Sequence, residues 1–203
     1  MALSALSDEL MRAEGMMMQD QNEEALELLL RLAEDAEEYV DCNCQTTDEV
    51  QYFAFPTLFD RLAYRRVEND PRKLEDVHEP FDRLYGDLAM AYVRTGDYEN
   101  AMNALKTAIR WNPMNCGFRL DLADLFKIAG DIREHIALTF GVFERASEAR
   151  HLTRAFLNFA GWFEAQGRLE QAAACLRAAR RFEVKDSTLE AALDQAAGTP
   201  KDP

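Results

Sequence analysis

Apolar residues recur at intervals of three and four along most of the chain, a spacing that places them on one face of an α-helix. The pattern is clear over residues 3–18, where it includes Leu6 and Leu10, and again over residues 22–40, where it includes Leu29 and Leu32. Each segment is predicted to be an amphipathic helix. Residues 1–44 should therefore form an acidic helix pair, which could be a degenerate repeat.

The next stretch, residues 45–81, is harder to interpret. Residues 47–66 also have helical spacing, with Val50, Phe53 and Leu58 on one face. Pro56 lies among them, and a proline ends or kinks a helix because it lacks an amide hydrogen and its ring clashes with the preceding turn. Residues 69–80 hold two prolines and many charges, which is typical of a linker. We predict a kinked helix followed by a linker.

A glycine punctuates the second half of the chain at regular intervals. Gly96, Gly130 and Gly167 are 34 and then 37 residues apart, and each follows a run with helical apolar spacing. Glycine tolerates the positive φ needed just past the end of a helix that turns back on itself. Asp97 and Asp131 then stand where the next helix needs an N-cap acceptor. The pattern predicts a series of antiparallel helical hairpins.

One of these hairpins, over residues 82–115, resembles a tetratricopeptide repeat. The shared positions hold large apolar or aromatic residues interspersed with small ones, and the last of them is a proline. They are Tyr85, Leu88, Ala89, Tyr92, Gly96, Tyr98, Ala101, Leu105, Ala108 and Pro113. Residues 116–152 and 153–185 resemble further repeats, although His135 and Thr139 depart from the pattern. The resemblance implies an all-α fold, an α-α superhelix of antiparallel hairpins. We expect one structural domain, with a capping helix and a frayed tail over 186–203.

The charge pattern narrows the classes of partner. The formal net charge is -14, and residues 1–48 hold 13 Asp or Glu against two Arg. Nucleic acids and anionic lipids require clustered basic residues, so neither is an expected partner. No apolar run is long enough to cross a membrane, and the N-terminus does not resemble a signal peptide. We expect a cytoplasmic protein.

Candidate catalytic and metal chemistry is sparse. Cys42 and Cys44 are close together, but the sequence offers no second pair at zinc-site spacing, so free thiols are the favoured interpretation. The three histidines, His78, His135 and His151, are far apart in sequence and lie in no catalytic motif. His135 replaces a small packed residue of the repeat pattern and could make that repeat sensitive to pH. We predict no enzyme activity, no metal and no cofactor.

The resemblance also implies where a partner would bind. In tetratricopeptide repeats the first helix of each hairpin lines a concave groove. The positions expected to contact a peptide, called here the predicted groove set, are Arg83, Met90, Val93, Arg94, Leu120, Asp124, Lys127, Arg154, Leu157 and Asn158. Its four cations would favour acidic side chains or a C-terminal carboxylate in the ligand. Alternatively, they are solvated charges that serve only solubility.

The predicted function is therefore a protein- or peptide-binding adaptor or scaffold. A second hypothesis is self-assembly, for example as a homodimer, in which Phe140 and Phe143 would be exposed to a twin chain.

Overall fold

The computed structural model describes residues 3–198, and the chain divides into two compact units, Met1–Phe118 and Arg119–Pro203. Ten α-helices are present in the described residues: α1 Leu3–Met18, α2 Asn22–Asn43, α3 Leu58–Glu68, α4 Phe81–Thr95, α5 Tyr98–Trp111, α6 Cys116–Ile128, α7 Ile132–Val142, α8 Ala149–Ala165, α9 Leu169–Ala179 and α10 Ser187–Gly198. Two strands, β1 Val50–Phe53 and β2 Lys73–Asp76, lie on either side of α3 in the chain.

The first two helices form the predicted pair. Helices α1 and α2 pack against each other, and both contact α4. Leu6 and Leu10 of α1 and Leu29 of α2 are almost fully buried, as expected of residues on the apolar face of an amphipathic helix. Helix α2 continues three residues beyond the predicted end, to Asn43.

The segment between α2 and α4 differs from the prediction. Residues 50–53 form a strand and not a helical turn, and residues 73–76 of the expected linker form a second strand that pairs with it in parallel. Helix α3 crosses between them, starting at Leu58, so Pro56 precedes a helix instead of kinking one. The error arose because a run as short as four residues fits helical and strand spacing equally well.

A small core holds this β-α-β insertion together. Phe53, Phe55, Tyr64 and Leu74 pack with Met114, which follows α5. The Tyr64 hydroxyl donates a hydrogen bond to Asp70 over 2.9 Å. The amide of Ala54 donates to the carbonyl oxygen of Trp111, 2.9 Å away. The insertion is thus docked on the end of α5.

Helices α4 and α5 form the hairpin that the repeat pattern predicts. Gly96 has a φ of 83°. The amide of Asp97 bonds to the carbonyl oxygen of Tyr92 over 2.9 Å, and that of Gly96 bonds to Val93 over 3.1 Å. This pair of bonds is a Schellman motif, which satisfies carbonyl groups that the end of a helix leaves without partners. Asp97 then caps α5 by accepting a hydrogen bond from the amide of Asn100.

The second unit repeats this turn twice. Gly130 and Gly167 have φ values of 84° and 70°. The amide of Asp131 bonds to the carbonyl oxygen of Phe126, and the amide of Arg168 bonds to that of Phe163. Each is the bond of the Schellman motif that spans five residues. The side chain of Asp131 accepts from the amide of Glu134, as the predicted cap requires. The predicted hairpin turns are confirmed at all three glycines.

The remaining helices complete the second unit. Helix α8 packs against α7 and α9, and α10 contacts both α8 and α9. Helix α10 lies in the segment where a capping helix was predicted, and the capping role stays a prediction. The predicted frayed tail falls largely on residues 199–203, which lie outside the described residues. Within residues 3–198 the fold is helical, as predicted, with the two-stranded sheet as the exception, and no helix there combines the length and apolar character that a membrane span requires.

Candidate functional site

Four members of the predicted groove set lie on α4. At 100° per residue, Arg83, Met90, Val93 and Arg94 fall within a sector of about 100° around the helix axis, so they share one side of the helix. Helix α1 contacts α4 in the same unit. The surroundings of these four side chains decide which of them a partner could reach.

Arg83 is held by two carboxylates of the protein. Its Nε and Nη2 atoms donate to Glu14 Oε1 over 2.9 and 2.6 Å. Asp87 Oδ2 lies 3.8 Å from Arg83 Nε. Burial, reinforced by the nearby Glu14 carboxylate, raises the pKa of Asp87 to about 7. Arg83 therefore ties α4 to α1, and its charge is already matched within the chain.

Arg94 is also engaged with the end of α1. Its Nη1 atom donates to the carbonyl oxygen of Met17 over 2.9 Å and lies 3.8 Å from Asp20 Oδ1. A carbonyl near the C-terminus of a helix has no partner within the helix, and a cation there also faces the negative end of the helix dipole. Arg94 therefore caps α1.

Met90 and Val93 differ from the two arginines. Met90 is 48% exposed, and Val93 is half-buried. Methionine repacks readily around different apolar partners. These two side chains are the part of the α4 face that could contact an apolar segment of another protein.

In the second unit, Asp124, Arg154 and Asn158 form one polar cluster. Arg154 Nη2 lies 2.8 Å from both Asp121 Oδ1 and Asp124 Oδ2. Asn158 Nδ2 lies 3.4 Å from Asp124 Oδ1 and 3.3 Å from Thr139 Oγ1. The cluster links α6 and α8, so three residues of the predicted groove set come together here.

The other three members of the set in this unit are placed differently. Leu120 is fully buried, so it cannot contact a ligand in this conformation and is not part of the proposed site. Leu157 is half-buried and Lys127 is exposed. Only Lys127 among them presents a charge to solvent.

The aromatic residues considered for self-assembly lie in the same unit. Phe140 is 60% exposed, whereas Phe143 is half-buried. The Phe143 ring packs edge-on against Phe156 at 4.9 Å and contacts Phe159 at 5.8 Å between centroids. Phe143 is thus mainly a packing residue, and Phe140 is the exposed member of the pair.

A cleft that sequence analysis missed opens beside the start of α4. It has a volume of about 440 Å³ and is lined by residues from α1, α2 and α4, including Leu32, Tyr39 and Phe81, with Asp35 and Glu38 among the acidic ones. Apolar walls with a few polar groups are typical of ligand-binding clefts.

Groups that could support catalysis or hold a metal are dispersed. Within residues 3–198, no three His, Cys, Asp or Glu side chains form a cluster suited to a metal ion. Cys42 is exposed and Cys44 is buried, and both are free thiols. His135 is buried, with Nδ1 2.8 Å from the carbonyl oxygen of Ala123. It joins α7 to α6, which is a structural role.

Sequence analysis also missed the acidic partners of the groove arginines. Glu14, Asp87 and Asp121 were not singled out as contacts. A usable signal exists, because Asp87 is four residues after Arg83, a spacing at which opposite charges meet on one helix face. Glu14 and Asp121 come from other helices, and spacing within one helix cannot reveal them.

Comparison with known families identifies one repeat in the chain. The family model described as tetratricopeptide repeat matches residues 82–115, the range of the α4–α5 hairpin. This is also the range predicted for the first repeat. Residues 82–115 of the chain therefore carry a tetratricopeptide repeat. Proteins built from such repeats generally serve as scaffolds for protein interactions. No curated protein sequence matches the chain.

Several solved structures are similar to the chain at low sequence identity. A thermophilic TPR protein from Thermus thermophilus, TTC0263, is 18% identical with a TM-score of 0.47, covering 95% of this chain and 98% of its own. A crystal structure of MamA is 16% identical with a TM-score of 0.44, covering 86% of each chain. The repeat assigned to residues 82–115 rests on the family match and not on these structures.

Proposed function

We propose that the protein is a non-enzymatic adaptor that binds a segment of another protein on the exposed side of α4. The observation that carries this proposal is the exposure of Met90 beside Val93, on the first helix of the matched repeat. Apolar side chains in the centre of an interface supply most of its binding free energy.

The contacts of the arginines change the expected chemistry of the partner. Arg83, Arg94 and Arg154 each bond to acidic or carbonyl groups of the protein itself. A ligand carboxylate would have to compete with these groups, so the preference for an acidic or C-terminal segment loses its main support. We propose a mainly apolar segment. In the second unit, we propose Lys127 and Leu157 as separate contacts for a partner.

The proposal is tested by capturing the partner through position 90 and then measuring its affinity for substituted proteins. A photo-crosslinking amino acid at position 90 captures the partner, which is then identified and purified. Its affinity is measured by calorimetry for wild type, Met90→Glu and the control Tyr98→Glu. Tyr98 is also exposed, but it begins α5. A buried charge without a partner is costly.

We expect Met90→Glu to weaken binding of the partner at least about tenfold. The affinity of Tyr98→Glu should stay near that of wild type. Equal affinity for all three proteins would contradict the α4 site. Both substitutions are at exposed positions, so circular dichroism should show an unchanged fold.

A further inference from the structure

Helix α3 presents an apolar and basic surface to solvent. Leu58, Phe59 and Leu62 are 70%, 64% and 59% exposed, and Arg65 and Arg66 are exposed as well. We call these five residues the α3 face. At 100° per residue they fall within a sector of about 120° around the helix axis. Three large apolar side chains on one exposed helix face are unusual for an isolated surface and indicate an interaction site.

The α3 face is not the side that holds the helix in place. The opposite side contributes Tyr64, Ala63 and Val67 to the small core of the β-α-β insertion. Arg61 donates to the carbonyl oxygen of Leu74, which also fixes the helix. Among residues 3–198, the guanidinium groups of Arg65 and Arg66 make no ion pair. The packing of the helix therefore leaves the α3 face available.

The order of residues on this face is complementary to itself. When two copies of α3 cross antiparallel about Leu62, this residue meets its own copy. Phe59 then faces Arg65 of the partner subunit, and Leu58 faces the partner's Arg66. An arginine over an aromatic ring is favourable, and the aliphatic stem of an arginine packs well against leucine. Each pairing occurs twice, as a two-fold interface requires.

We propose that the α3 face is a self-association surface whose occupant is a second copy of this chain, paired antiparallel about Leu62. The net charge of -14 opposes a second copy as well as a membrane or nucleic acid. The choice of occupant therefore rests on the two pairings, Phe59 with Arg65 and Leu58 with Arg66 of the partner subunit. In the antiparallel pair the two Arg65–Arg66 ends lie far apart, at opposite ends of the contact.

The contact is small, and its strength should reflect this. Five side chains per copy fall well below the ~20–30 residues per side of a standard interface. Self-association should therefore be weak and depend on protein concentration. Self-association through the α3 face is independent of partner binding at Met90, which lies on α4. Either of these two proposals can therefore fail while the other stands.

A charge-reversal pair tests both the surface and the register. Sedimentation velocity at physiological salt compares Phe59→Asp with Phe59→Lys, up to about 1 mM protein. In the proposed register the introduced aspartate would meet Arg65 of the partner subunit and form an ion pair, whereas the introduced lysine would meet the same arginine and repel it. The net charge of the protein alone would favour the opposite order, because Lys lowers the overall repulsion between copies and Asp raises it.

We expect the dimer dissociation constant of Phe59→Lys to be at least about tenfold larger than that of Phe59→Asp. Leu62→Arg should abolish association, and Ile128→Glu, a change at an exposed position of α6, should leave it unchanged. The proposal is overturned if the wild type stays monomeric over the whole range, if Leu62→Arg still associates, or if Phe59→Lys associates as tightly as Phe59→Asp.

A cross-linking measurement checks the two-fold axis independently. With the exposed Cys42 replaced by Ser, a Leu62→Cys variant is oxidised with a copper catalyst, and a Met18→Cys variant serves as the control. Facing residues of two helices ~8–10 Å apart bring their Cα atoms within disulfide range. We expect a covalent dimer from Leu62→Cys and almost none from Met18→Cys. Equal yields from both variants would exclude a specific α3 contact.

Discussion

The side-chain amide of Asn112 donates a hydrogen bond to the carboxylate of Asp82, with Nδ2 and Oδ2 2.8 Å apart. Both side chains are buried. The bond joins the start of α4 to the residue just after α5, and so closes the open end of the repeat hairpin. Burial raises the pKa of Asp82, and the hydrogen bond from Asn112 opposes that shift.

Removing the donor should destabilise the hairpin more than neutralising the acceptor. Asn112→Ala leaves a buried carboxylate without its side-chain donor, which costs about 1–3 kcal/mol in the free energy of unfolding. Asp82→Asn keeps a hydrogen-bonding amide and removes a buried charge, so its cost should be smaller. Urea unfolding followed by circular dichroism measures both. A larger loss for Asp82→Asn would contradict the role assigned to this bond.

Two glycines should respond to alanine in opposite directions. Gly96 has a φ of 83°, which alanine adopts only with strain; Gly96→Ala should lower the free energy of unfolding by about 1 kcal/mol. Gly161 lies inside α8, and an added Cβ would meet no atom within 4 Å. Gly161→Ala should therefore raise the free energy of unfolding by about 0.5–1 kcal/mol. Thermal unfolding of the two variants compares them, and shifts of the same sign would be inconsistent with these backbone assignments.

The buried carboxyl of Asp87 should make stability depend on pH. Its pKa is raised from 3.8 to about 7 in the folded protein, mainly by burial. Between these two values the folded state binds more protons than the unfolded state. The contribution of Asp87 to the free energy of unfolding is therefore most favourable below about pH 4 and is lost as the pH rises to about 7.

The measurement for Asp87 is a difference between two proteins. Urea unfolding at several pH values compares wild type with Asp87→Asn, which cannot ionise. We expect the variant to gain stability relative to wild type as the pH rises from 4 to 7. A constant difference across that range would show that Asp87 titrates normally. The buried ring of His151 has a lowered pKa, so its contribution to the free energy of unfolding changes with pH in the opposite direction. Both proteins contain His151, so its contribution cancels in the difference.

The hairpins were predictable because their signals are local. A glycine at the end of an apolar helix face, followed by Asp97 or Asp131, specifies both the Schellman turn and the next N-cap within a few residues. The β-α-β insertion was not predictable in this way. Strand β2 has the sequence KLED, which has little strand propensity, and it forms because residues 50–53 pair with it across α3.

The candidate site was only partly predictable for the same reason. Position in the repeat placed Met90 in the predicted groove set, and its side chain is exposed on α4. It could not indicate that Arg83 would bond to Glu14 or that Arg154 would bond to Asp121, because these partners lie on other helices. The availability of a charge depends on tertiary contacts, which repeat spacing does not encode.

The central claim, that a partner protein binds on the exposed side of α4, is tested most directly by amide hydrogen exchange. The purified chain is measured alone and with saturating amounts of the captured partner. We predict slower exchange on binding in α4, residues 81–95, with the peptide containing Met90 among the most protected. Unchanged exchange in α4, with protection confined to other helices, would contradict the claim.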